Sequence, residues 1–249
     1  MSDLSTYNTI LTILFIAIPL DFVWLLYSTA PYGRHFRANW GPCVSSRVGW
    51  ILMEIPTVVV MTYFFIGETF NLVAYIFLAL WMLHYLYRAL IYPFRLSDPN
   101  KPMPLAIGLS GFIVTFAITY VNAYAITRLH QFDTAWLLDP RFIIGTILFL
   151  KGYYINHQAD AILRRLRENN TDYQIPHGGL FRYISSPNYF GEIMEWTGWA
   201  IATWSLAGTA FALFTVATLV PRAIHHHQWY QKTFPHYPKE RRAIFMWIL

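Results

Sequence analysis

Charge is scarce in this chain. Only 12% of its 249 residues are Asp, Glu, Lys or Arg, whereas 56% are hydrophobic and 18% aromatic, proportions unlike those of a soluble domain. The single cysteine, Cys43, excludes an internal disulfide framework and any zinc site built on several thiolates. Common site signatures are missing too: for nucleotides, no Gly-x-Gly-x-x-Gly after a strand and no Walker loop; for a serine nucleophile, no Gly-x-Ser-x-Gly elbow. A nucleotide would therefore be held by helices and loops, not by a Rossmann unit. The net charge of +5 is scattered between apolar runs and forms no patch, which argues against a nucleic-acid partner. No internal repeat, low-complexity tract or linker divides the chain, so residues 1–249 read as one domain.

What the chain does have is length of apolar sequence. Windows near the ~20 residues needed to cross a bilayer occur at about 7–29, 49–67, 71–94, 104–125 and 141–158, with two shorter ones at about 189–205 and 207–221. Seven spans are expected, in an all-α integral membrane fold. The first run has no basic residue before it and is too long for a signal-peptide core, so it reads as a retained anchor. Basic residues gather in cytoplasmic loops. Arg34, Arg37 and Arg47 follow span one, Arg95 and Lys101 follow span three, and Arg164, Arg165, Arg167 and Arg182 follow span five. Lys232, Lys239, Arg241 and Arg242 lie in the tail. The alternation places the amino terminus outside and the carboxyl terminus in the cytoplasm. Pro99, Pro102 and Pro104 break any helix between spans three and four.

Against this background the segment Ile175–Trp196 stands out. It is polar, contains Gly178 and Gly179, and runs into a helix start at Pro187-Asn188. Irregular polar backbone beside membrane helices survives only against protein or a watered cavity, so the segment is read as one wall of a polar-ligand site. Asn188, Glu192 and Glu195 follow the helix start, where free backbone donors and the helix dipole favour an anion.

Several charged residues fall inside spans, where they mark functional sites by default. Glu54 precedes Pro56 in span two, and burial there favours a neutral, hydrogen-bond-donating carboxyl. The alternative role for it is a lock between two helices. In His84-Tyr85-Leu86-Tyr87-Arg88, helical spacing puts Tyr85 and Arg88 on one face, with His84 above Arg88. Tyr85 is read as a partner of Glu54 and Tyr87 as an interfacial belt residue. Asp21 in span one is read as pairing with an arginine. Asn156, Asp160 and Arg164 recur at four-residue steps with Arg167 beside them, and arginine is the preferred side chain for phosphate. Arg222, His226 and Tyr230 likewise share a face. The three consecutive histidines 225–227 diverge by about 100° each on a helix and cannot converge on one metal ion; no metal is expected.

These residues resemble the steroid 5-alpha-reductase (3-oxo-5-alpha-steroid 4-dehydrogenase) family, and the resemblance covers nearly the whole chain. Asn156-x-x-x-Asp-x-Ile-Leu-Arg164, Ile175-Pro-x-Gly-Gly-Leu-Phe181, Ser186-Pro-Asn-Tyr-Phe-Gly-Glu192, Ala202-Thr-Trp-Ser-Leu206 and Arg222-Ala-Ile-His-His-His227 occur in the family's order. Glu54-Ile-Pro56 and His84-Tyr85-x-x-Arg88 match its amino-terminal signatures. The resemblance, to a bacterial-type member, implies seven helices enclosing NADPH and a steroid. It implies reduction of a 3-oxo-Δ4 steroid, with hydride delivered to C5 and a proton to C4. Glu54 and Tyr85 would hold the C3 carbonyl oxygen, and preorganised donors aimed at developing charge supply much of such catalysis. Asn156, Asp160, Arg167, Tyr173, Asn188, Glu192, Arg222, His226 and Tyr230 match positions that hold NADPH, with Arg88 and Arg164 as additions. Residues 1–125 would then serve mainly the steroid and 140–249 mainly the cofactor. The protein would be a monomer with its cofactor site facing the cytoplasm, in the inner membrane of a bacterium or the endoplasmic reticulum of a eukaryote. Met53 stands where many steroid-reducing members have glutamine, which removes a polar contact near the substrate carbonyl.

Three other readings compete. A sterol or enoyl-thioester reductase would share the fold. An isoprenylcysteine-type methyltransferase would use S-adenosylmethionine and not require the Glu54/Tyr85 pair. A transporter would use the polar stripe as a path, but the inverted repeats of many transporters are missing.

Overall fold

The computed structural model describes residues 3–168 and 172–245. The chain is helical with almost no sheet: α1 (Asp3–Tyr27), α2 (Ser46–Phe65), α3 (Leu72–Leu86), α4 (Leu105–Tyr124), α5 (Pro140–Glu168), α6 (Pro187–Thr203) and α7 (Leu206–Thr233). Local signals account for several boundaries. Ser45, Asn71 and Ser205 cap α2, α3 and α7 by accepting from Val48 N, Ala74 N and Gly208 N, which satisfies donors that a helix start leaves free. Trp204 adopts a left-handed φ of 46°, so α6 stops there and α7 starts two residues later. Pro187 occupies the first turn of α6, where its missing N–H costs nothing.

Five segments among the described residues are long and apolar enough to cross a membrane: Asp3–Tyr27, Ser46–Phe65, Leu72–Arg95, Leu105–Leu129 and Leu206–Thr233. The other two expected spans are helices as well, α5 and α6, but they fall short of that standard. Lys151 and Asp160 interrupt α5, while α6 has 17 residues and carries Glu192 and Glu195. Helix ends also differ from the apolar windows. α5 continues ten residues past 158 and α7 twelve past 221, because the hydropathy of a window falls where helices leave lipid while their backbone ladder does not.

Two helices end in π turns, Tyr87–Ile91 after α3 and Ala125–Leu129 after α4. Such turns add a residue to the helical repeat and recur at functional sites; the first contains Arg88. The proline loop holds an unexpected feature. Pro102–Pro104 (β2) pairs antiparallel with Cys43–Ser45 (β1) in a two-stranded sheet, an all-edge arrangement in which prolines lack no essential ladder bond.

α5 and α6 pack through glycine. A methyl on Gly152 would lie 2.5 Å from the Gly191 carbonyl oxygen, and one on Gly198 2.5 Å from that of Gly145. Backbones this close are characteristic of small-residue seams between membrane helices. Beside the seam, Trp81, Trp196, Trp199, Phe77 and Phe149 form a fully buried aromatic core. Trp199 Nε1 donates to Asn122 Oδ1 at 2.9 Å. On the outside, Ile13, Ile16, Leu20 and Trp24 of α1 are exposed, an apolar face that lipid can solvate and water cannot.

Asp21 forms no ion pair within 4.0 Å among the described residues, contrary to the expected arginine partner; those present are Arg88–Glu54, Arg88–Asp160, Arg128–Glu68 and Arg141–Asp139, while His84 and Glu195 share a buried hydrogen bond.

Candidate active site

Two cavities meet between the helices. The larger, about 570 Å³, is lined by Asn156, Asp160, Arg164 and Arg167 of α5, Tyr173 of the following loop, Asn188 and Glu192 of α6, Arg222, His226 and Tyr230 of α7, and Arg88. All eleven residues singled out for a cofactor thus face one space. The smaller, about 220 Å³, is lined by Glu54, Tyr85, Met53, His84 and apolar side chains that include Ile118, Phe211 and Phe214. Tyr32, Trp50, Arg88, Glu192, Leu219 and Arg222 line both. Each cavity draws side chains from both halves of the chain.

Arg88 sits at the junction. Its Nε lies 3.5 Å from Glu54 Oε1 and its Nη1 4.0 Å from Asp160 Oδ2. The guanidinium also stacks over Trp50 and Tyr92, 4.5 and 4.6 Å from the ring centroids. A planar fork can meet two carboxylates and two rings at once, which an ammonium cannot. Glu54 and Tyr85 line the same cavity without a hydrogen bond between them; the partner of Glu54 is Arg88. Tyr85 stacks on Trp196 at 5.4 Å and meets the edge of His84 at 4.9 Å. His84 Nδ1 in turn lies 2.9 Å from Oε1 of Glu195, which is fully buried.

Asn156 donates from Nδ2 to the Asn188 carbonyl at 3.0 Å and to Glu192 Oε2 at 3.4 Å, and Asn188 Nδ2 donates to Asp160 Oδ1 at 3.2 Å. The polar stripe of α5 is thereby tied to the start of α6. The loop before α6 is pinned from the other side by the tail, through Ser185 N to Arg242 O at 2.8 Å and Arg242 N to Tyr183 O at 2.9 Å. Ser185 Oγ lies 2.6 Å from His227 Nδ1 and 2.7 Å from the Tyr237 hydroxyl. The three histidines part company as their spacing requires. His225 Nε2 lies 3.1 Å from the Leu25 carbonyl oxygen, His226 stacks between His35 and Tyr189, and His227 turns to Ser185.

The loop between α1 and α2 supplies residues that sequence reasoning missed. Gly33, at φ 65°, turns this loop against Arg222, and Tyr32 lies under the Arg222 guanidinium at 3.9 Å. Arg222 Nε also donates to the Tyr189 hydroxyl at 3.0 Å. Arg34 lines the larger cavity, although in the sequence it served only to orient the loop. Burial, then Arg222 and Arg34 alongside, hold the His35 imidazole down at about 4, so it is neutral at pH 7. No local signal marks these residues, because their partners lie some 140 to 200 positions away.

The donors suit an anionic, hydroxyl-rich ligand. Arg34 Nη1, His226 Nε2 and Ser186 Oγ are buried without a hydrogen-bond partner among the described residues, and all three residues line the larger cavity. Buried polar groups in proteins are nearly always paired, so orphaned donors along one cavity mark where a ligand completes them.

A family profile described as 3-oxo-5-alpha-steroid 4-dehydrogenase matches residues 101–249. The Solanum lycopersicum protein named steroid 5-alpha-reductase DET2 is 38% identical over 99% of this chain and 98% of its own length. The Homo sapiens 3-oxo-5-alpha-steroid 4-dehydrogenase 1 is 40% identical over 87% of this chain and 85% of its own. The chain belongs to the 3-oxo-5-alpha-steroid 4-dehydrogenase family. As a member of that family it is an oxidoreductase acting on CH–CH groups, and its apolar helices make it an integral, multi-pass membrane protein.

Proposed function

We propose that the protein reduces the Δ4 double bond of 3-oxo-Δ4 steroids with NADPH, yielding 5α-reduced 3-oxo steroids. One observation carries this reading. The cavity lined by the eleven polar residues opens, across Arg88, Glu192 and Arg222, onto a second cavity lined by Glu54 and Tyr85 and otherwise largely apolar. A polar cofactor and a flat apolar enone need two such spaces joined at the reacting atoms.

NADPH, when bound, supplies the hydride for the carbon β to the substrate carbonyl. The side chains of Asn156, Asp160, Asn188, Arg222 and His226 hold and orient it, with the α6 amino terminus and the arginines as anion sites. Tyr85 and Glu54 in its protonated form donate to the C3 oxygen, where negative charge gathers during reduction, while the other Glu54 oxygen faces Arg88. Donors fixed in a water-poor site act on that charge without reorganising. Arg88 keeps Glu54 in place from the cofactor side. The apolar wall of Ile118, Phe211 and Phe214 takes the steroid rings and excludes water.

The same reading gives α5 and α6 as the fifth and sixth of seven membrane spans, with the amino terminus outside and the cofactor cavity facing the cytoplasm. Ile143, Ile144, Ile147, Leu150 and Tyr154 form an exposed apolar stripe on α5, and its polar residues turn inward. This supports a lipid-facing helix whose mean hydropathy is lowered by the site it lines.

The test is purified protein in detergent with NADPH and a 3-oxo-Δ4 steroid, following loss of reduced nicotinamide absorbance and product mass. Product heavier by two hydrogens is expected. No turnover across several enones, with methyl transfer from S-adenosylmethionine instead, would sink the proposal.

A further inference from the structure

Met53 precedes Glu54 on α2, and both line the smaller cavity together with Gly111 of α4. Gly111 puts no side chain into the seam between the two helices, and Met53 takes that space. A methyl on Gly111 would lie 2.5 Å from Met53 Cγ and 3.2 Å from both its Cβ and its Sδ. Neither residue lines the larger cavity. We propose that Met53, seated on Gly111, is a specificity-determining wall. It sets the room beside the substrate carbonyl, and so decides whether a ring substituted on a carbon next to that carbonyl is accepted. The proposal rests on the reading of the smaller cavity as the site of a 3-oxo-Δ4 steroid.

The contact with Gly111 is at the root of the methionine side chain, not at its tip. At Gly108, three residues earlier on α4, the atom nearest an added methyl is Leu52 Cδ2 at 3.2 Å, the end of a chain that can swing aside. Met53 Cγ, by contrast, is placed by the first side-chain torsion alone, and a helix leaves that torsion essentially two wells. The backbone beneath it is pinned. Thr115 Oγ1, four residues beyond Gly111, donates to the Met53 carbonyl oxygen at 2.6 Å. Met53 therefore has one arrangement laid on the glycine and one turned away from it, and the cavity is the open side. Its unbranched thioether adapts at the outer torsions, so the wall yields at its tip and is fixed at its base.

The same face settles the chemistry of what it meets. Thr115 lines the cavity, but its one hydroxyl proton is committed to the carbonyl oxygens of Met53 and Phe112, at 2.6 and 3.2 Å. The methionine sulfur is a weak acceptor, and Val114 and Ile118 of the same cavity are apolar. With the C3 oxygen held at Glu54 and Tyr85, the flanking carbons C2 and C4 come against this wall, because Met53 adjoins Glu54. An edge of carbon and hydrogen suits it. How much carbon fits is set by how far Met53 lies back on Gly111, and an apolar pocket discriminates one such group by about 10- to 200-fold.

The experiment measures kcat/KM of the full chain in detergent, with NADPH and three substrates: a 3-oxo-Δ4 steroid bare at C2 and C4, its 2-methyl derivative and its 4-methyl derivative. The readout is the ratio of each derivative to the parent, which a general loss of stability or of cofactor binding leaves unchanged. Met53→Ala removes the wall and is expected to raise at least one ratio about tenfold. Gly111→Ala turns Met53 into the cavity and is expected to lower that same ratio by about as much. The double variant Met53→Ala/Gly111→Ala should behave like Met53→Ala, because the added methyl then has no long side chain to displace. NADPH affinity, read by quenching of tryptophan fluorescence, should match wild type in all three. Met53→Ala overpacks nothing, so it decides the matter even if Gly111→Ala fails to fold. Ratios unchanged in Met53→Ala, or a double variant that keeps the selectivity of Gly111→Ala, overturn the wall while the reductase reading stands. Wild-type protein that reduces none of the three steroids overturns both.

Discussion

Arg88 Nε lies 3.5 Å from Glu54 Oε1, and through this contact the larger cavity touches the smaller. Arg88 lines both spaces, whereas Glu54 lines only the smaller. The arginine belongs to the π turn Tyr87–Ile91, which directs it between Trp50, Tyr92 and Asp160. A carboxyl gripped from one side by a fixed cation is positioned for a substrate oxygen arriving from the other.

Removing either proposed carbonyl donor should cost turnover and spare the cofactor. Glu54→Gln and Tyr85→Phe are each expected to lower kcat by roughly 10²- to 10³-fold, the range for a single oxyanion-hole donor. NADPH affinity, measured separately by fluorescence, should stay near wild type. If both variants keep near-normal rates, the carbonyl clamp is wrong.

The buried His84–Glu195 pair, 2.9 Å apart, should behave as a structural lock. Glu195→Ala strands the imidazole beside Tyr85 and is expected to destabilise by about 1–3 kcal/mol, the cost of leaving a buried polar group unpaired. Glu195→Gln keeps the shape and an acceptor for Nδ1, so its loss should be smaller. Thermal unfolding of the three proteins in one detergent checks the order; an alanine variant as stable as wild type would contradict it.

The glycine seam predicts a position-specific penalty. Methyl groups on Gly152 or Gly198 meet backbone of the facing helix, whereas at Gly108 the nearest atom is Leu52 Cδ2 at 3.2 Å, the end of a flexible side chain. Gly152→Ala and Gly198→Ala are expected to cost about 1–3 kcal/mol or more, the range for overpacking, and Gly108→Ala less. Melting temperatures should separate the two classes. They should also show reduced cofactor affinity in the first, because α5 and α6 carry the Asn156–Asn188 contact.

His35 predicts a pH dependence outside the membrane. Its imidazole is held at about 4 against an ordinary 6.5, first by burial and then by Arg222 and Arg34. Between those values the unfolded chain takes up a proton that the folded one refuses, so unfolding binds protons. Its stabilising contribution is complete above about pH 6.5 and is lost as pH falls toward about 4. His35→Gln should flatten that part of a melting-temperature profile; a profile identical to wild type would remove His35 as its source.

Much of this protein is determined by its sequence alone, because the relevant physics is local. Apolar length, caps such as Asn71 and Ser205, and the four-residue steps of Asn156, Asp160 and Arg164 all act within one helix. Their outcome, a helical membrane protein with a polar stripe on α5, is therefore legible without coordinates. Tertiary structure alone decided the rest. It closed the glycine seam, paired Glu54 with Arg88 and not with Tyr85, folded Pro102–Pro104 into a strand, and carried Arg34 across the chain to Tyr173. Each of these depends on close approach between residues far apart in sequence, where distance sets the energy and no periodicity records it.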